Sequence, residues 1–152
     1  MADETDVLLE LWKGQREEAR QLEAQRAALT NIVIVMAGAA LGFLAQQGGL
    51  QLSSLGVTVP MFVLGGFGAV ASAKYAERWV VHAGLADAFR REVGLRHPGL
   101  DLDAVVAANR VERQALFPRV HRIKIWLLWV LLHSAVSLGG LLLSAWILAR
   151  HT

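Results

Sequence analysis

Residues 126–146 read WLLWVLLHSAVSLGGLLLSAW, a stretch of 21 residues without one Asp, Glu, Lys or Arg. With its flanks it forms an uncharged block at 125–149, 25 residues long. A helix needs about 20 apolar residues to cross a bilayer's hydrocarbon core, so this block is long enough to span with some tilt. Two more blocks match it: 29–46, LTNIVIVMAGAALGFLAQ, and 55–73, LGVTVPMFVLGGFGAVASA, both uncharged. The chain of 152 residues is 55% hydrophobic and 18% charged, against about 25% charged in soluble domains. The fold class is therefore an all-α integral membrane protein. Its three transmembrane helices are joined by an amphipathic N-terminal helix and a helical segment between spans two and three, all within a single membrane domain over 1–152.

The cations set the expected orientation. Lys13, Arg16, Arg20 and Arg26 precede the first span, and ten more lie in 74–124. The loop QQGGLQLSSLG at 46–56 has none. By the positive-inside rule the N-terminus and 74–124 are cytoplasmic, and the first loop and the C-terminus RHT face outside. Charged, helix-prone sequence comes before the first apolar block, so no cleavable signal peptide is expected and the N-terminus is retained.

The charged parts carry helical patterns of their own. In 5–29, Leu8, Trp12, Gln15, Ala19, Leu22, Arg26 and Leu29 recur at alternating spacings of four and three, a coiled-coil seam with polar interruptions. In 74–95 the same rhythm links Tyr75, Trp79, His82, Ala86, Phe89 and Val93. The turn RHPGLD ends that helix through Pro98 and Gly99. Asp101 or Asp103 then caps a helix LDAVVAANRVERQALF, and Pro118 suits the first turn of the helix that becomes span three. Residues 1–29 hold four cations and seven anions, and 74–124 ten cations and six anions. The opposite signs favour packing between the two seams, within one subunit or between neighbours. The alternatives are ordinary solvated helices, or juxtamembrane cations drawn to anionic lipid headgroups. Nucleic acid is an unlikely partner, because no aromatic platform interleaves the small charge excess.

Each span also carries a stripe of small or polar residues, the usual means of close helix approach in lipid. Span one has Asn31, Gly38, Gly42 and Gln46. Span two has Thr58, Gly65, Ala69 and Ser72. Span three has His133, Ser137, Gly140 and Ser144. The helix-packing candidates are Gly38, Gly42, Gly65, Ala69 and Ser72, and Gln46 and Gln47 stand near an outer mouth. His133 lies about 12 Å into its span at about 1.5 Å per residue. Ionisable groups at that depth face a bundle interior or a water-filled cavity, so the stripe is either a pore lining or an interhelical polar seam. Trp126 and Trp146 suit the two interfaces, and Trp129 packs inside. Pro60 is expected in the first turn of span two.

The catalytic search is empty. There is no cysteine, hence no disulfide, thiolate metal site or thiol nucleophile. No HExxH, P-loop or nucleophile–base pair is present, and His82, His97 and His121 are too scattered to be read as ligands. The expectation is no enzyme, no catalytic residue, no metal and no cofactor.

The order of elements carried by LLELWKGQREEARQLEAQRAALTNIVIVMAGAALGFLAQQ and SAKYAERWVVHAGLADAFRREV resembles the SLATT-type small membrane effectors of bacterial antiphage systems. The likeness covers about residues 5–95; the third span is an addition to that layout. It implies a bacterial cytoplasmic (inner) membrane and a pore opened by an oligomer when a soluble cytoplasmic sensor protein detects infection. It carries no site residues over. The function expected is thus a homo-oligomeric channel or pore-forming effector gated through its cytoplasmic helices. The alternative is a non-conducting scaffold or accessory subunit that docks a soluble partner on 74–124.

Overall fold

A computed structural model of the chain describes residues 3–118 and 123–151. Every regular element among them is helical: α1 (Glu4–Gln46), a short 3-10 turn (Leu52–Ser54), α2 (Leu55–Arg96), α3 (Leu102–Leu116) and α4 (Ile125–His151). Three helices, α1, α2 and α4, are long and apolar enough to cross a membrane. The amphipathic 5–29 pattern and the first span belong to one helix of 43 residues, because no Pro, and no Gly after Gly14, interrupts the run before Gly38.

Contacts divide the chain into two compact units, one of Met1–Ala24 with Tyr75–Lys124 and one of Gln25–Lys74 with Ile125–Thr152. In the first, charged unit, the start of α1 runs antiparallel to the end of α2. His82 Nδ1 lies 2.7 Å from Gln15 Oε1, Thr5 Oγ1 lies 3.2 Å from His97 Nε2, and Glu4 pairs with Arg96. Ala19, Leu22, Ala86 and Val93 are buried, while Leu8, Trp12, Tyr75, Trp79, His82 and Phe89 are half-buried. The two seams face each other within one chain.

Of the two candidate caps, Asp101 is the one that acts: its Oδ1 accepts from the Ala104 N–H at 3.1 Å. Asp103 instead pairs with Arg90 at 2.9 Å, tying α3 to the end of α2. α3 has no buried residue. Pro118 lies in a turn after α3, and α4 begins only at Ile125. The expected first-turn proline of span three is therefore absent. His121 lies outside the described residues.

In the second, apolar unit, Gln47 closes α1 and Gly48 follows with φ +68°, the left-handed stop that glycine takes without steric cost. The loop is then pinned by side chains: Ser54 Oγ donates to Gln47 Oε1 at 2.8 Å and accepts from the Gln51 N–H at 3.1 Å. Pro60 is the sixth residue of α2, in its second turn. A proline there removes one helical hydrogen bond and crowds the carbonyl four residues back; that residue is Gly56, with open space around it.

Candidate functional site

The stripe of α4 is the polar spine of the apolar unit. His133, Ser137, Gly140, Ser144 and Ile147 are its buried residues, and His133 is wholly enclosed. Each polar member has a partner on a neighbouring helix. His133 Nε2 lies 3.1 Å from Thr30 Oγ1, and the Thr30 hydroxyl donates to the Arg26 carbonyl at 2.9 Å. A hydroxyl has one hydrogen, so Nε2 is the donor to Thr30. One turn on, Ser137 Oγ donates to the Phe62 carbonyl at 2.9 Å. At the far end Ser144 Oγ lies 2.7 Å from Thr58 Oγ1 and 2.8 Å from the Gly140 carbonyl.

Glycines make this spacing possible. A β-carbon at Gly65 would lie 2.8 Å from Ser137 Cα and 2.9 Å from the His133 carbonyl oxygen. One at Gly140 would lie 2.7 Å from the Thr58 carbonyl oxygen, and one at Gly68 would overlap the His133 imidazole. So α2 and α4 meet backbone to backbone, the small-residue packing that membrane helices use. Ser72 is wholly buried one turn beyond Gly68, whereas Ala69 is only half-buried.

Span one behaves differently. Its buried face is Thr30, Val33, Ala37 and Leu44. Asn31, Gly38, Gly42 and Gln46 are exposed, and a β-carbon at Gly38 or Gly42 would meet nothing. Spacings of seven, four and four keep these residues on one side of the helix, so the stripe of span one points away from its own bundle. Gln47 is held by Ser54 and is half-buried, unlike Gln46.

Thr30, the partner of His133, was absent from the candidate residues. Its signal was present: Arg26, Thr30, Val33 and Ala37 recur at spacings of four, three and four, one position out of step with the seam that ends at Leu29. Reading 5–29 and 29–46 as separate segments broke that run at Thr30.

In the charged unit, a cleft of about 520 Å³ lies beside Trp12 and Trp79 and is also lined by Lys13, Arg16 and Arg20. Two of those cations are already occupied: Lys13 bonds Glu10 at 2.8 Å and Arg20 bonds Glu17 at 2.8 Å. The hydrogen bond to Glu10, then its charge, hold the Lys13 pKa above the usual lysine value. Burial works against the Arg90 charge, but hydrogen bonds to Asp87 and Asp103 outweigh it and raise its pKa. Among the described residues no group of three or more His, Cys, Asp or Glu is placed to hold a metal ion.

Comparison with protein-family models, with curated proteins and with solved structures finds no match.

Proposed function

We propose that the chain is a homo-oligomeric membrane channel whose copies meet through α1. One observation carries this reading: the Asn31–Gly38–Gly42–Gln46 face of α1 is polar or small, yet exposed. An amide in a membrane span seeks a protein partner or water, and Asn31 has no hydrogen-bond partner among the described residues. The stripe of α4, by contrast, is spent on α1 and α2. A pathway therefore runs between copies along α1, with Asn31 and Gln46 along its wall, and the interhelical role falls to His133, Ser137 and Ser144.

The excess of cations in 74–124 supports a cytoplasmic side for the charged unit, where a soluble sensor protein would have access to it. The likeness in layout to SLATT-type effectors supports a bacterial inner-membrane setting and a role in antiphage defence. The test is ion flux into liposomes holding purified protein, with Gly42→Leu as the comparison. Flux that Gly42→Leu abolishes while the chain still folds supports the reading; no flux from any oligomer sinks it.

A second reading, a non-conducting scaffold, is favoured by α3. Its Val105 and Leu116, eleven residues apart and so on one side of the helix, are 67% and 63% exposed, an apolar face open to a docking partner. Expression with Val105→Asp and Leu116→Asp together separates the readings, because flux that survives the loss of this face belongs to the channel.

A further inference from the structure

Four buried polar atoms in the apolar unit have no hydrogen-bond partner among the described residues: Arg26 Nε, Ser72 Oγ, Trp129 Nε1 and His133 Nδ1. Register gathers three of them on one level. α4 runs parallel to α1, since Arg26 lies over Trp129 (5.7 Å to the ring centroid) and Thr30 meets His133 one turn later. It runs antiparallel to α2, since Thr58 meets Ser144 and Gly68 meets His133. One turn before His133 is Trp129, one turn before Thr30 is Arg26, and one turn beyond Gly68 is Ser72. The layer next to the His133 layer thus consists of Arg26, Ser72 and Trp129.

The chemistry of that layer is weighted toward donors. The Arg26 Nε–H and the Trp129 indole N–H are donors only, and the Ser72 hydroxyl adds a third donor. Arg26 is 9% exposed and pairs with no carboxylate among the described residues. A buried cation without a counter-charge is strongly unfavourable. A single water has two lone pairs and no charge, so it satisfies neither the donor count nor the guanidinium. An oxyanion satisfies both, and a guanidinium fork matches phosphate oxygens in particular.

We propose that Arg26, Ser72 and Trp129 form a binding site for one phosphate group, supplied by an anionic lipid headgroup or by free phosphate. The site does not depend on conduction, and its test involves no flux. Full-length protein in neutral detergent is titrated with short-chain phosphatidylglycerol and, separately, with sodium phosphate, each against sodium chloride at matched ionic strength. Because a ligand of the folded state raises the melting temperature by mass action, a saturable rise is expected with one of the two titrants. Native mass spectrometry should count one bound molecule per chain. A rise with the lipid alone identifies a headgroup site, and a rise with sodium phosphate identifies a free-ion site.

Arg26→Gln is expected to weaken binding at least tenfold. Arg26→Lys keeps the charge but loses the fork and should recover only part of it. Trp129→Phe, which keeps the ring and removes the N–H, and Ser72→Ala should each weaken binding severalfold. If Arg26→Gln does not fold, the last two variants decide. A wild-type chain that neither titrant stabilises, or Trp129→Phe and Ser72→Ala chains that bind as tightly as wild type, overturns the proposal.

Discussion

His133 shows how one side chain organises a helix bundle. Its Nε2 is committed to Thr30, its ring occupies the space Gly68 leaves, and its carbonyl oxygen lies against Gly65. Interhelical hydrogen bonds in lipid average about 0.6 kcal/mol and reach about 1.7. A double-mutant cycle of His133→Leu and Thr30→Val, read by unfolding in detergent, should therefore return a coupling of about 1 kcal/mol. A coupling of zero would show that the contact contributes nothing. Backbone contact is less forgiving than the hydrogen bond. Gly65→Ala forces two backbones apart and should destabilise by about 1–3 kcal/mol, the range of overpacked cores. Gly38→Ala, with nothing near its β-carbon, should leave the stability of the single chain unchanged. The same unfolding assay ranks the pair.

At the scale of elements, the legible part of the sequence was periodicity. The rhythm linking His133, Ser137, Gly140 and Ser144 marks one face of α4, and that face is the buried one. What spacing cannot convey is which neighbour the face meets. Thr30, Thr58 and the Phe62 carbonyl become partners only through tertiary register. Nor does composition distinguish the stripes of spans one and three, although one is exposed and the other buried. Helix ends were less legible: Pro60 lies in the second turn of α2 and not in its first.

The cap and the ion pairs of the charged unit make tests at this same scale. Asp101→Ala removes the acceptor for the Ala104 N–H and should cost about 1 kcal/mol, seen as faster amide exchange confined to the first turn of α3. Lys13 has a raised pKa. Its pairing with Glu10 is thus fully present below the usual lysine value of about 10.4 and is lost as pH rises through the higher folded value. Lys13→Gln should lower helix content slightly at pH 7, and the difference should vanish as alkali discharges Lys13 in the wild type, as followed by circular dichroism.

For the whole molecule, the apolar unit pairs the polar stripe of α4 within itself but leaves one face of α1 uncovered. Gly42→Leu places a bulky side chain on that face without touching the bundle, so crosslinked oligomers should fall back toward the monomer while the melting temperature holds. Symmetry gives that exposed face a further meaning. A two-fold axis along α1 would set each stripe against its own copy, sealing Asn31 between two helices and closing any route for water. A ring of higher order cannot pair the stripe with itself, because each copy then meets its neighbours through two different surfaces. In such a ring the stripe can turn toward the central axis instead. A dimer counted by native mass spectrometry would therefore make Asn31 an adhesive, and a larger ring would make it part of a lumen.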